Sequence, residues 1–67
     1  MKTQIELIEH FTKNFNKVVA SHGAGSDYAT TAFFQMRAAI IGIPEREIFT
    51  WAKVEFDRQK QLALEAV

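Results

Sequence analysis

The sequence predicts an all-α fold, a small bundle of three helices. Apolar residues recur at three- and four-residue steps along three segments, which is the period of an amphipathic helix. Helix-terminating residues separate those segments: Gly23 follows the first, Gly42 follows the second, and Pro44 precedes the third. Because the chain has only 67 residues, we expect a single domain over residues 1–67.

The first helix is predicted over residues 4–21. Thr3 and Glu6 have the spacing of a capping box, in which each side chain accepts a hydrogen bond from a free backbone amide at the helix start. Gly23 suits the left-handed position that follows a helix end. One face of this helix is predicted to be apolar and to contain Ile5, Ile8, Phe11, Phe15, Val18, Val19 and His22.

The second helix is predicted over residues 27–41, with Ser26 or Asp27 as its N-cap. At 100° per residue, Phe34 and Ile41 point away from the predicted core stripe. Two interpretations are open: the first helix covers this second face, or Phe34 and Ile41 contact another chain. The core stripe itself is predicted to contain Ala29, Ala32, Phe33, Met36, Ala39 and Ile40.

The third helix is predicted over residues 44–64. Gly42 is expected to end the second helix in a left-handed conformation, with Ile43 as the apolar contact behind it. Pro44 suits the first turn of a helix, where a missing amide hydrogen costs little. The predicted apolar stripe contains Ile48, Phe49, Ala52, Phe56 and Ala63, and Trp51, Val54 and Leu62 lie beside it.

The composition narrows the class of protein. Eight lysines and arginines balance eight aspartates and glutamates, so the chain lacks the basic excess typical of nucleic-acid-binding domains. It contains no cysteine, which excludes disulfides and thiolate metal sites and favours the cytoplasm.

No apolar run approaches the roughly 18 residues of a membrane span, so we expect a soluble protein with no membrane partner. Small domains often need an added source of stability, and self-association, as a homodimer or larger, is expected here.

The sequence offers little chemistry for catalysis. A chain without cysteine, a serine elbow or a carboxylate paired with a base lacks the usual nucleophiles and general bases. So short a chain is also expected to have little room for a pocket of several hundred Å³. Glu6 and His10 have the spacing of a helical metal pair, but no third ligand accompanies them. We therefore expect no enzyme activity, no cofactor and no metal.

The segment over residues 37–52 resembles the helix-turn-helix motif of phage-repressor-like DNA-binding proteins. The resemblance rests on Ala38, on Gly42 four residues later, and on Ile48 six residues beyond that glycine. It implies a DNA-binding transcriptional regulator whose third helix enters the major groove. The DNA contacts implied are Arg46, Thr50 and Lys53.

Several residues favour a protein partner over DNA. Glu45 and Phe49 are poor readers of the major groove, where arginine, lysine, asparagine and glutamine are preferred. Spare apolar side chains are typical of a protein interface, and tryptophan is enriched at binding hot spots. We therefore interpret the chain primarily as a non-enzymatic interaction module or small regulator, an adaptor or inhibitor that binds another protein, itself, or both. The predicted interface consists of Phe34, Ile41, Arg37, Trp51 and Val54.

Overall fold

A computed structural model describes residues 2–65 and confirms the predicted all-α fold. The three helices are α1 Gln4–His22, α2 Asp27–Ile40 and α3 Ile48–Glu65, and a short 3-10 helix, Glu45–Glu47, precedes α3. No strand is present in the described part of the chain. The predicted bounds of α1 and α2 are correct to within one residue, whereas α3 begins at residue 48 rather than 44, because the 3-10 helix comes first.

The first two helices begin with the side-chain caps that the sequence predicts. The Thr3 hydroxyl accepts a hydrogen bond from the Glu6 amide at 3.2 Å, and the Glu6 carboxylate accepts one from the Thr3 amide, also at 3.2 Å. The Ser26 hydroxyl accepts from the Ala29 amide at 3.1 Å, so Ser26 rather than Asp27 is the N-cap of α2. Each cap satisfies an amide that has no partner within its own helix.

Helix α2 lies between the other two helices. It packs against both α1 and α3, whereas α1 and α3 make few backbone contacts with each other. Side chains of α1 and α3 do meet through Phe11 and Phe49, whose rings lie edge to face with centroids 5.9 Å apart. Fully buried alanines on α2, Ala38 and Ala39 among them, leave room for the neighbouring backbones to come close.

Helix α1 faces the core with a stripe rotated from the predicted one. Leu7 and Phe11 are buried, whereas Ile5 and His22, both predicted on the apolar face, are exposed. Leu7 was not predicted as a core residue, although it lies one turn before Phe11 on the same face. The core cluster contains Leu7, Phe11, Ala38, Ala39 and Ile48.

The two interpretations left open for Phe34 and Ile41 have different outcomes, because Phe34 is buried within the chain whereas Ile41 is exposed. Phe34 is only 8% exposed, whereas Ile41 is 55% exposed. Phe33 and Ile40, predicted in the core, are 39% and 50% exposed instead. Ala38 is buried in the same core cluster as Ile48 of α3, and Phe34 lies one turn before Ala38 on the same face of α2. The exposed face of α2 is therefore displaced by one residue, about 100° around the helix.

The second half of α3 extends beyond the packed part of the fold. Ala52 is fully buried, but every residue from Asp57 to Glu65 is exposed. Ala63, predicted in the core stripe of this helix, is therefore a surface residue. Phe49, predicted in the same stripe, is 62% exposed at the start of the helix. Neither α3 nor any other helix within residues 2–65 is long and apolar enough to cross a lipid bilayer.

Candidate interaction surface

The corner between α2 and α3 is built by backbone hydrogen bonds around Gly42. Gly42 has a φ angle of +88°, a left-handed conformation that costs glycine little. Its amide donates to the Ala39 carbonyl at 3.2 Å, and the next amide, that of Ile43, donates to the Ala38 carbonyl at 2.9 Å. This pair of bonds is a Schellman motif, which satisfies carbonyls at the helix end. The predicted roles of Gly42 and Ile43 are confirmed.

A single helical turn then leads into α3. Pro44 has a φ angle of −55°, and its carbonyl accepts a hydrogen bond from the Glu47 amide at 2.8 Å. Pro44 therefore opens the 3-10 helix rather than α3 itself. Ile48, the first residue of α3, is completely buried, so the start of the helix is anchored in the core. The corner is consequently held on both sides, by Ala38 before it and Ile48 after it.

An open apolar cleft of about 340 Å³ lies where this corner meets the first turns of α3. Trp51 is half-buried and packs against the core cluster, whereas Val54 is 58% exposed. Ile41, at the C-cap of α2, is exposed at the same corner. The residues that line the cleft are Ile43, Pro44, Glu47, Thr50, Trp51 and Val54. We define the corner surface as Ile41, Ile43, Thr50, Trp51 and Val54.

The structure brings some of the predicted interface residues together and separates others. Trp51 and Val54 line one cleft, and Ile41 is exposed next to Gly42. Arg37 is exposed in the last turn of α2. Phe34 is buried and does not belong to this surface.

The residues that the helix-turn-helix resemblance assigns to DNA are all exposed. Thr50 lines the cleft of the corner surface, and Arg46 lines a second, larger cleft next to the Ile43–Pro44 segment. Lys53 lines neither cleft. Glu47 lies beside Thr50 in the lining of the small cleft.

A larger cleft, which the sequence did not predict, lies on the other side of the Ile43–Pro44 segment. It measures about 600 Å³, so the expectation that a chain this short has little room for such a cleft is wrong. It forms because the start of α1 crosses the end of α2, where Gln4 contacts the carbonyl of Ile40. The residues that line it are Lys2, Gln4, Leu7, Ala39, Gly42, Ile43, Pro44, Glu45 and Arg46.

The titratable groups near the start of α1 serve the helix cap. The Thr3 backbone amide, and after it the Thr3 hydroxyl, donate hydrogen bonds to the Glu6 carboxylate and hold the pKa of Glu6 below its ordinary value. The nearby positive charge of Lys2 acts in the same direction. Within residues 2–65 no three histidine or acidic side chains are grouped closely enough to hold a metal ion.

Comparisons with protein-family models, with curated proteins and with solved structures gave no significant match for this chain.

Proposed function

We propose that this chain is a small non-enzymatic interaction module, of adaptor or inhibitor type, that acts in the cytoplasm by binding another protein through the corner surface. The observation that carries the proposal is the grouping of Ile43, Trp51 and Val54 around an open cleft, with Ile41 exposed beside it. In soluble proteins, contiguous exposed apolar side chains of this kind mark interaction sites.

The cleft within the corner surface has the layout of an interface hot spot, with an apolar centre and a polar rim. Ile43, Pro44 and Val54 supply apolar lining, and Glu47 and Thr50 supply a carboxylate and a hydroxyl. Such a site accepts one apolar side chain of the partner and lets its polar neighbours pair with the rim.

Trp51 suits the role of anchor because the rest of the fold already holds it. Its side chain packs against the core cluster while lining the cleft. A side chain that is ordered before binding loses little conformational entropy when a partner arrives. Arg37 and Arg46, exposed on either side of the corner, supply donors for carboxylates on the partner.

The charge balance of the chain also supports a protein partner. The formal net charge is zero, which favours a protein partner over a polyanion.

The proposal is tested by affinity capture from an extract of the source organism, followed by titration of the captured protein against variants. Val54→Asp places a charge in the corner surface, and Leu62→Asp is its matched control, since Leu62 is 50% exposed on the same helix. We expect at least tenfold weaker binding for Val54→Asp and an unchanged dissociation constant for Leu62→Asp. Equal binding by wild type and Val54→Asp would exclude the corner surface as the binding site.

A helix-turn-helix DNA-binding regulator is the second candidate function. In its favour, Ala38 and Ile48 are completely buried on the two sides of the corner, and Arg46, Thr50 and Lys53 are exposed. A gel-shift assay at low salt with mixed duplexes, comparing wild type with Arg46→Ala, tests it. A retarded band that weakens in the variant would favour DNA binding, and the absence of retardation with every duplex would exclude it.

A further inference from the structure

A second apolar surface lies along α1 and α2, away from the corner surface. We define the α1–α2 face as Ile5, Ile8, Phe33, Met36 and Ile40. Ile5 is 69% exposed and Ile40 is 50% exposed, while Ile8 and Met36 are half-buried against the core cluster. Apolar side chains that pack partly against the core and are partly exposed can form the buried centre of an interface.

Direct contacts show that the two helices present this face jointly. The Gln4 side chain reaches the Ile40 carbonyl at 3.3 Å, which brings Ile5, its neighbour in sequence, to the end of α2. Further along, the rings of Phe15 and Phe33 meet edge to face with centroids 6.0 Å apart. The start of α1 therefore lies beside the end of α2, and the helices run antiparallel.

The spacing of apolar residues on α2 is typical of a helix face that packs against another helix. Phe33, Met36 and Ile40 follow each other at three- and four-residue steps, the spacing of core positions. No helix of the described chain covers them fully, because Phe33 and Ile40 are exposed and Met36 is only half-buried. Three large apolar side chains of α2 are thus left at the edge of the core.

We propose that a second copy of this chain covers the α1–α2 face, with α1 of each copy lying on α2 of the other. The two hairpins then form a four-helix bundle around a twofold axis that runs parallel to the helices. An interface of this kind uses the same patch on both copies. If one residue of the first copy contacts a second residue on its partner, the same two positions also meet with the copies exchanged. This face shares no residue with the corner surface, so Trp51 and Val54 stay available to another protein in the dimer, whereas Arg37 at its edge is taken up by the second copy.

The size of the face fits a dimer of modest affinity. Helix α2 has 14 residues. At 1.5 Å per residue it is about 20 Å long, and two adjacent helices are together about 20 Å wide. Each copy therefore presents a projected footprint of about 400 Å², and the two copies together about 800 Å². This total is below the roughly 1,200–2,000 Å² that stable interfaces bury, so we expect a weak dimer that dissociates on dilution.

Charges at the edges of the face are complementary between copies. Glu9 lies one turn after Ile5 on α1, and Arg37 lies one turn before Ile40 on α2; both are exposed. Glu9 is roughly midway between Gln4 and Phe15, whose contacts on α2 are Ile40 and Phe33, and Arg37 is roughly midway between those two. The two charges are therefore at the same height. A twofold rotation about an axis parallel to the helices preserves this height, so Glu9 of each copy lies beside Arg37 of the other copy.

The first test is the molar mass of the purified chain across a range of concentrations, measured by light scattering or sedimentation equilibrium. We expect the dimer mass at several hundred micromolar and a fall toward the monomer mass on dilution. A monomer mass at every concentration up to about 1 mM, where the standard free energy of association would be weaker than about −4 kcal/mol, would overturn the proposal.

The second test introduces a charge at either end of the face. Ile5→Glu places an acid in the first turn of α1, and Ile40→Lys places a base in the last turn of α2, positions that the helix dipole favours for those charges. We expect each variant to remain helical by circular dichroism and to dimerise at least tenfold more weakly. Val54→Glu, an exposed site on α3 outside the face, is the control and should dimerise like wild type. Unchanged dimerisation of both face variants would overturn the proposal.

Mixing the two variants tests the arrangement itself. If α1 of one copy lies on α2 of the other, residue 5 of one chain is opposite residue 40 of its partner. A mixture of Ile5→Glu and Ile40→Lys then places an acid against a base, and we expect a heterodimer at concentrations where each variant alone is monomeric. Two monomeric variants that give no heterodimer would overturn this pairing, because position 5 would not face position 40.

Discussion

The side-chain amide of Gln4, at the start of α1, lies 3.3 Å from the carbonyl oxygen of Ile40, at the end of α2. The same amide nitrogen is 3.5 Å from the carbonyl of Ala39. Carbonyls in the last turn of a helix lack partners within that helix. Gln4 therefore caps α2 from a neighbouring helix and fixes where α1 crosses the corner, next to the larger cleft.

Replacement of Gln4 by alanine should lower the free energy of unfolding by about 0.5–1.5 kcal/mol, the usual contribution of one hydrogen bond. Gln59→Ala, at an exposed position of α3, is the control and should change stability by less than about 0.5 kcal/mol. Urea unfolding of both variants, at one low protein concentration so that dimerisation contributes equally, measures the difference. Equal effects would show that Gln4 does not cap α2 in solution.

Stability in acid should depend on Glu6. Hydrogen bonds from Thr3 lower the pKa of Glu6 in the folded chain, so folding favours its carboxylate. The stabilisation is complete above the pKa that glutamate has in the unfolded chain, and it is lost as the pH falls through the lower folded pKa. Glu6→Gln should therefore be less stable than wild type at neutral pH, and the difference should shrink below about pH 4. Thermal unfolding of the two proteins from pH 7 to pH 3 measures this, and a difference that does not change with pH would contradict the capping role of the carboxylate.

The burial of Phe34 gives a direct comparison with an exposed phenylalanine. Phe34→Ala should destabilise the chain by about 3–5 kcal/mol, the usual range for a buried phenylalanine. Phe49→Ala should cost much less, because Phe49 is 62% exposed. Chemical unfolding at one concentration compares the two variants. A loss for Phe34→Ala no larger than that for Phe49→Ala would show that α2 and α3 pack differently in solution from this structure.

The burial of Phe34 shows how far periodicity alone can define the faces of a helix. Apolar spacing predicted α2 correctly as a helix and indicated that it has more than one apolar side. It could not indicate which side α3 would cover, because that depends on the path of the corner. Ala38 was not among the predicted core residues of α2, yet it is completely buried. A small side chain permits close packing, but it does not by itself indicate a buried face.

Local signals were more reliable than signals that depend on tertiary packing. Thr3, Ser26 and Gly42 were predicted as capping residues from a few neighbouring positions, and hydrogen bonds within three to five residues produce them. The cleft near Gln4 joins residues that are 35 or more positions apart in sequence. No local pattern contains such information, and the contact depends on how two packed helices cross.

The corner should depend on the backbone conformation of Gly42 and not on the space around it. A methyl group added to Gly42 would lie 3.8 Å from the Gln4 side chain, an ordinary contact, but its φ of +88° disfavours any other residue. Gly42→Ala should therefore cost about 1–2 kcal/mol and lower the Tm by roughly 5–15 °C for a domain of this size. Gly25→Ala is the matched control, because Gly25 has no positive φ and no neighbour within 4 Å, and it should be neutral or slightly stabilising. Equal melting temperatures for the two variants would mean that the corner does not require a left-handed residue, and the path from α2 into the corner surface would have to be revised.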